Sequence, residues 1–420
     1  MKNYRRLMIF FLSGLIFLGG LTALGADNSD VDLGEAAGLA DETQMPNATP
    51  TSAETTTAHP QSSWFNSGRT RTYLLIDGTQ TSGGTNDQIY FPNGQLNFFG
   101  DFKILNESFL IVDAAWTYDD KDKESSLFLN QVGFRSRLSE SMQYFIGKER
   151  NRRSPGLMVS PSDFIYSNTN LPGQREDRKG VWLGRLSYQK INGSIDFLIL
   201  PVQSETLEGL PDSKQNSTEG AIRGLYQFLG IDFSLMVGRY FGTNRAGTSV
   251  QTLLLNKYKM YVELGTQEEV TRYNNTKKDY PVQSLAGFGY EGSEDFSVRL
   301  EYFENGQGLN SDEFNQMMQL RSLFPSQFAG NTNLQSPFIR QKYLITSLTF
   351  PEIKKKYNFT ISGIKSLEDD SLLGITRLEY LATDNLLVGL SFTKIQGGTG
   401  SQYQYRNFDT QATADLKYSF

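Results

Sequence analysis

The sequence has no cysteine and a single histidine, His59, among its 420 residues. Without cysteine the chain has no disulfide, thiol nucleophile or thiolate metal site. A single histidine excludes most Ser-His catalysis and any multi-histidine zinc site. We therefore predict that the protein is not an enzyme and that it binds neither a metal nor a cofactor.

The chain is also too polar to cross a membrane as a bundle of helices. Its mean hydropathy is −0.42, whereas each membrane helix needs about 20 consecutive apolar residues. With 40 basic and 46 acidic residues the charge balance is acidic, which argues against nucleic-acid binding. What the chain does have is 13% aromatic residues and 39 glycines in a polar sequence.

The N-terminus has the three parts of a secretory signal peptide. Three basic residues within the first six positions are followed by an apolar run over 7–21, and Ala23-Leu24-Gly25 offers a cleavage site. We predict a signal peptide over 1–25 and export through the Sec pathway. The alternative is an N-terminal membrane anchor.

Residues 26–63 form a tail of distinct composition. The tail contains seven acidic residues but no Lys, Arg, Phe, Tyr or Trp. Because it cannot bury enough apolar surface to offset chain entropy, we predict that it is disordered. It is either a solvated spacer or a contact for a basic partner in the periplasm. His59 lies in this tail, which makes it a poor catalyst.

The rest of the chain repeats a single pattern, in which polar and apolar residues alternate within segments of about ten. Since successive side chains of a strand point to opposite faces, each segment predicts a strand with one apolar and one polar face. The predicted strand centres lie near residues 74, 99, 113, 131, 145, 185, 198, 223, 236, 251, 262, 286, 300, 344, 360, 377, 391 and 415.

The connections between these strands alternate between short turns, such as 106–107, and longer loops, such as 150–179. Such sorting by length is typical of transmembrane β-barrels, which must close because an open edge would leave backbone groups unsatisfied in lipid. We therefore predict an all-β fold over 64–420. It is an antiparallel up-and-down transmembrane β-barrel of about 18 strands, 16 being also compatible, with short periplasmic turns and long extracellular loops. A soluble β-sandwich is the alternative.

The signal peptide, the alternating strands and the terminal Leu416-Lys417-Tyr418-Ser419-Phe420 together resemble the outer-membrane porins of Gram-negative bacteria. The resemblance implies a location in the bacterial outer membrane, in contact with its lipids. It also implies that the barrel assembly machinery reads Leu416, Tyr418 and Phe420. Whether the barrel forms a homotrimer is left open.

A second resemblance is local. The run Gly147-Lys148-Glu149-Arg150, followed by Gly156 and Pro161-Ser162-Asp163-Phe164, is similar to the strand-to-loop motif of large substrate-selective porins, including alginate-export-type barrels. This likeness implies a channel that is selective for its solute.

The loop 150–179 is the best candidate for narrowing the lumen. A barrel of about 18 strands is too wide for side chains to fill, so a water-filled lumen is expected unless loops plug it. The loop either folds inward or lies over the mouth. Within it, Ser160-Pro161-Ser162-Asp163 predicts a one-turn helix start, with Ser160 as the cap and Asp163 suited to the helix dipole.

Charged residues predicted to face the lumen are the candidate functional residues, with arginines on one wall and interleaved glutamates on the other. Opposed charges across a constriction would sort solutes by charge, whereas the alternative is solvated charges without selectivity. The predicted pore-lining or constriction residues are Arg135, Arg137, Arg150, Arg152, Arg153, Asp163, Arg185, Arg223, Glu263, Glu301, Arg299 and Glu379.

The loop 305–337 contains a second helix signal. Ser311 and Asp312 precede an apolar pattern that Pro325 stops. The spacing predicts a short amphipathic helix, either resting on the barrel rim or packing on loop 150–179 as a lid.

Three functions follow from these features. The first is a porin that passes small hydrophilic solutes by passive diffusion. The second, suggested by the arginine wall, is a channel or exporter specific for anionic oligosaccharides or sugar acids. The third is a structural or adhesive barrel without transport.

Overall fold

A computed structural model of the chain describes residues 66–82, 88–105, 108–119, 124–150, 154–166, 180–201, 218–271, 277–291, 296–323, 337–398, 400–405 and 409–419. The predicted signal peptide and acidic tail lie outside these residues, as do Arg152, Arg153 and Phe420. Nearly all described residues belong to one compact unit, Thr57–Gln227 with Ile231–Phe420, and Phe228–Gly230 are the described part of the other.

The described residues form twenty strands and one α-helix. The strands are β1 Asn66–Ser82, β2 Gln88–Leu105, β3 Ser108–Asp119, β4 Glu124–Ser139, β5 Met142–Glu149, β6 Val181–Lys190, β7 Gly193–Leu200, β8 Glu219–Phe228, β9 Ile231–Tyr240, β10 Thr243–Leu254, β11 Tyr258–Gln267, β12 Glu269–Thr271, β13 Lys277–Asp279, β14 Val282–Tyr290, β15 Ser297–Asn305, β16 Lys342–Ile353, β17 Tyr357–Ser366, β18 Leu372–Thr383, β19 Leu386–Gln396 and β20 Thr410–Ser419. The helix α1 spans Ser311–Leu323, and a 3-10 turn spans Gln402–Tyr405. No helix within the described ranges is both long and apolar enough to cross a membrane.

Eighteen of the strands form one antiparallel sheet in which neighbours in sequence are neighbours in space. β12 and β13 pair only with each other, so that β11 pairs with β14. The first strand pairs with the last, with Leu74 opposite Tyr418, which closes the sheet into a barrel. The predicted fold class is confirmed, and all the predicted strand centres fall within these eighteen strands.

The two faces of the barrel differ as the alternation predicts. On β7, Ile195, Phe197 and Ile199 are exposed on the outside while Asp196 and Leu198 are buried inside. On β20 the side chains of Leu416 and Tyr418 are likewise exposed on the outer face. An outer face of large apolar residues is what lipid requires of a spanning strand.

Aromatic rings follow one another along the short-turn edge of β11 to β18. Tyr258 packs on Tyr290 with ring centroids 5.4 Å apart, and Tyr290 packs on Phe296 at 5.1 Å. The row continues with Phe350 and Phe359 at 6.3 Å and with Tyr357 and Tyr380 at 4.9 Å. Aromatic girdles of this kind lie at the membrane–water interface of outer-membrane barrels.

The predicted helix is present as α1, which begins one residue after its cap. The Glu313 N–H donates to Asn310 Oδ1 and the Asn310 N–H donates to Glu313 Oε2, both at 2.9 Å. This reciprocal pair satisfies two backbone donors at the helix start. Phe314 and Met317 bury the apolar face of α1 against Leu309 and Ile339, so the helix packs on its own connection.

Candidate functional site

Residues 154–166, the inward segment, lie inside the barrel against the inner faces of many strands. Met158 is fully buried in an apolar cluster with residues of β11 and β14 to β19, among them Leu285 and Ile345. Ile165 and Tyr166 are buried in a second cluster with residues of β3 and β5 to β9. The described part of loop 150–179 is therefore folded inward rather than laid over the mouth.

Two buried glutamates of the barrel wall receive the first half of the inward segment. The Gly156 N–H and the Ser154 hydroxyl both donate to Glu263 Oε1 at 2.7 Å. The Leu157 N–H donates to Glu301 Oε1 at 2.5 Å. Both carboxyl groups are fully buried, so they act as acceptors for the segment rather than as charges exposed to water.

The second half forms a capped turn, and the predicted helix start at Ser160 is wrong. The cap hydrogen bond exists, since the Asp163 N–H donates to Ser160 Oγ at 3.1 Å, but residues 161–162 form a turn and no helix follows. The Ser162 N–H and hydroxyl donate to Glu263 instead, at 3.2 and 2.6 Å. Tertiary hydrogen bonds from the barrel wall have replaced those that a helix would supply.

The carboxylate of Asp163 organises the rest of this turn. Its Oδ1 accepts the backbone N–H groups of Ile165 and Tyr166 at 3.3 and 3.2 Å. Its Oδ2 lies 3.8 Å from Arg223 NH1. Asp163 thus joins the turn to β8 and is itself buried.

Two of the arginines predicted to line the pore are buried in ion pairs behind the inward segment. Arg185 donates to both oxygens of Glu149, at 3.2 and 2.6 Å, and the Tyr166 hydroxyl donates to Glu149 at 2.9 Å. Arg223 donates through Nε and NH2 to Asp196 at 3.0 and 2.7 Å. Arg185 and Arg223 therefore hold the segment and the wall together and do not face open water, which corrects that part of the prediction.

Other predicted residues keep part of their side chains open to the lumen. Arg135 stacks over the Phe109 ring at 5.2 Å and lies 3.7 Å from Asp101, with 40% of its side chain exposed. Arg150 pairs with Asp113 at 3.0 Å and is 21% exposed. Both of these arginines of the predicted basic wall therefore have a carboxylate partner.

The opposite wall carries the same kind of pairing. Arg377 forms a fork with Asp415, at 2.9 and 3.1 Å, and also donates to Glu379 at 2.9 Å. Arg299 pairs with Glu291 at 2.6 Å, with 30% of its side chain exposed.

The remaining predicted arginines belong to the first wall or its loop. Arg137 is exposed near the end of β4. The predicted Arg152 and Arg153 lie outside the described residues.

The partner carboxylates are the functional residues that sequence reasoning missed. Asp101, Asp113, Glu149, Asp196 and Asp415 each contact an arginine named above. Alternation already places them on the polar face of their strands. Predicting which arginine each carboxylate contacts would have required the register between neighbouring strands, because side chains meet only where the strands align.

A closed antiparallel barrel of 18 strands with an apolar outer face, a charged inner face and an inward-folded segment has the fold of an outer-membrane porin. No protein-family model and no curated protein sequence matches the chain.

Solved structures with the same fold include several outer-membrane porins. OccK2 (OpdF) of Pseudomonas aeruginosa, solved in complex with glucuronate, superposes with a TM-score of 0.55 at 11% identity, covering 84% of this chain and 96% of that one. For OccK3 (OpdO) of the same organism the TM-score is 0.51 at 13% identity, with 84% and 95% covered. For OpdK of that organism with vanillate, the TM-score is 0.52 at 10% identity, with 84% and 98% covered.

Proposed function

We propose that this chain is an outer-membrane porin that forms a water-filled channel for the passive diffusion of small hydrophilic solutes. One observation carries the proposal. Inside the closed barrel, charged side chains of opposite walls remain partly exposed, as in Arg135 at 40%, Arg299 at 30% and Glu379 at 26%. A lumen filled by protein would bury them, as it buries Arg185 and Arg223.

The inward segment narrows this channel and makes it selective by size. It buries inner-face residues on both sides of the barrel, those of β3 and β5 to β9 and those of β11 and β14 to β19, so the cross-section left for solutes is smaller than the barrel itself. Paired charges on both walls would give solutes a polar but nearly neutral lining. We infer from this a general permeability to small polar molecules, without enzymatic activity and without a cofactor.

The location and partners of the protein follow from the same reading. We infer insertion into the bacterial outer membrane after export, with lipids against the apolar outer face. The outward Leu416 and Tyr418 are suited to recognition by the barrel assembly machinery together with Phe420. A structural or adhesive barrel without transport is the remaining alternative.

A second candidate is a channel specific for small organic anions such as sugar acids or anionic oligosaccharides. The support is that OccK2 and OpdK were solved with glucuronate and vanillate, both of which carry a carboxylate. Arg135 and Arg150 lie on the exposed wall, where they would meet such a solute. Against strong selectivity, each arginine already has a carboxylate partner.

Planar-bilayer recording of the purified protein tests the proposal. We expect stepwise conductance that persists under an applied voltage, and swelling of liposomes in neutral sugars. Absence of conductance, with liposomes impermeable to sugars, would reject a diffusion channel. Block of the current by added glucuronate, together with an anion-selective reversal potential in a salt gradient, would favour the second candidate over the first.

A further inference from the structure

A single carboxylate on β11 holds both ends of the stretch 154–162. Oε1 of Glu263 accepts the Ser154 hydroxyl and the Gly156 N–H, each at 2.7 Å. Oε2 accepts the Ser162 hydroxyl at 2.6 Å, the Ser162 N–H at 3.2 Å and the Ser160 hydroxyl at 3.5 Å. Five donor contacts of the stretch converge on this one carboxylate, so this residue dominates the polar contacts of the stretch.

Beside Glu263, two glycines of the barrel wall leave space for the backbone of Pro161 and Ser162. A Cβ on Gly265 would lie 2.7 Å from the carbonyl carbon of Pro161, and one on Gly247 would lie 2.7 Å from the Cα of Ser162. Only glycine at these two positions lets the backbone of the stretch rest on β10 and β11. The polar-face positions of these strands thus form a docking strip for Pro161 and Ser162.

The tip of the stretch is fixed by apolar contacts. Between the two ends held by Glu263, Met158 is fully buried among Tyr261, Leu285 and Ile345. The Leu157 N–H and the Tyr261 hydroxyl both donate to Glu301. The stretch 154–162 is therefore a closed loop with both ends tied to one carboxylate and its tip inserted into a core.

We propose that Glu263 is the positioning residue of the constriction. It keeps the inward segment in contact with the docking strip of β10 and β11 and so sets the aperture of the channel. The proposal rests on the porin function for its effect on conductance. The contact between the inward segment and the barrel wall can be measured without any transport, so the positioning role of Glu263 can be tested separately from the porin function. Loss of the carboxylate leaves five donor contacts unsatisfied at once, and the segment moves away from β11 into the passage or out of it.

The first test is substitution of the carboxylate. Glu263→Ala removes every acceptor, and Glu263→Gln keeps one oxygen but turns an amide donor toward a site lined by donors. We expect the single-channel conductance of Glu263→Ala to change at least twofold and to fluctuate, with a smaller change in Glu263→Gln. Glu304→Gln is the matched control. It makes the same change of side chain as Glu263→Gln, but at an exposed position on the outer side of β15.

The second test disturbs docking without changing any charge. In Gly265→Ala the new methyl group collides with the Pro161 carbonyl, so the same change of conductance is expected. The matched control is Gly184→Ala on β6, where an added Cβ meets nothing within 4 Å.

A thiol reporter follows docking itself. The chain has no cysteine, so Met158→Cys gives a unique thiol at a fully buried position. We expect slow modification by a water-soluble methanethiosulfonate in the otherwise unchanged protein, and at least tenfold faster modification when Glu263→Ala or Gly265→Ala is added. The unfolded protein supplies the rate of full exposure.

Folded barrels are selected by their heat-modifiable migration on gels, and Ser162→Ala serves as a milder variant if the others do not assemble. Unchanged conductance together with a protected thiol at position 158 in the folded variants would overturn the proposal. Faster thiol modification in the variants, with no current through the unsubstituted protein, would uphold the positioning role of Glu263 and reject the porin function.

Discussion

The charged residues inside the barrel divide into two environments that give them different roles. Arg185 and Glu149 have side chains only 5% and 6% exposed, whereas Arg135 and Asp101 are 40% and 27% exposed. A buried pair is costly to break because the remaining charge is left without a partner in a low-dielectric site. An exposed pair contributes little to stability, but it contacts the solute path.

We predict that Arg185→Met destabilises the folded barrel by about 3–5 kcal/mol, the usual cost of leaving one member of a buried pair unpaired. Adding Glu149→Gln should recover much of this loss, because the stranded charge is removed while an acceptor for the Tyr166 hydroxyl remains. Urea unfolding in lipid vesicles, followed by tryptophan fluorescence, measures both values. A double variant no more stable than the single one would contradict this account of Arg185.

At the scale of elements, polar contacts join the connections on the long-loop side of the barrel. The alternation of polar and apolar residues along the strands does not predict these contacts. Asp369, in the turn between β17 and β18, accepts the Ser371 hydroxyl at 2.6 Å and the Gln402 N–H at 2.8 Å. Gln402 in turn donates to the Pro337 carbonyl at 2.6 Å. Three connections that are distant in sequence are thereby held together.

This junction should loosen in acid. Burial by itself raises the pKa of Asp369, but hydrogen bonds from Ser371 and Gln402 outweigh it and hold the pKa below its ordinary value. Since the folded pKa is depressed, its contribution to stability is complete above the ordinary pKa of about 4 and is lost as the pH falls through the folded value. The neighbouring Glu368 and Arg340 are 3.1 Å apart and lie in the same junction.

A nitroxide label at Gly398→Cys, an exposed position beside the 3-10 turn, would report this change. We expect its mobility to rise only as the pH falls below about 4, and to be high already at neutral pH when Asp369→Asn is added. If the Asp369→Asn protein keeps the same acid transition, another group is responsible.

At the scale of the whole molecule, ion selectivity depends on how completely the arginines are compensated. Asp101 and Asp113 face Arg135 and Arg150 on the exposed wall. We predict that Asp101→Asn with Asp113→Asn raises the permeability of chloride relative to potassium by roughly twofold to fivefold, because a pair of charges in water interacts by about 1 kcal/mol at 4 Å.

The reversal potential in a potassium chloride gradient measures this ratio. Asp196→Asn is the informative comparison, since Asp196 is buried beside Arg223 and its loss should lower stability without moving the reversal potential. An equal shift for both variants would mean that the buried pair is also open to permeating ions.

Much of the fold could be predicted because lipid imposes one rule on every strand. Outward positions must be apolar and inward positions of a wet lumen are polar, so the alternation is written into the sequence of each strand. The number of strands, their centres and the helix at Ser311 follow from such local signals. The start of α1 was predicted from Ser311 and Asp312, and Asn310 proved to be its cap.

The candidate site was less predictable because its geometry depends on contacts between distant residues. Ser160 and Asp163 carry a local helix signal, yet Glu263, about a hundred positions away in sequence, takes the hydrogen bonds of Ser162. Arg185 and Arg223 have the inward parity of pore residues, and only the inward segment decides that they are buried.

By itself, then, the sequence determined the closed, two-faced barrel, because periodicity along a strand is a local property that needs no knowledge of neighbours. Tertiary structure alone decided the role of each charge in the lumen. It determines which charges contact water, which hold the inward segment and which neutralise one another. The physical reason is that burial and pairing depend on the register between strands and on the path of one connection through the lumen. Those two features bring Ser154, Ser162 and Glu263 together.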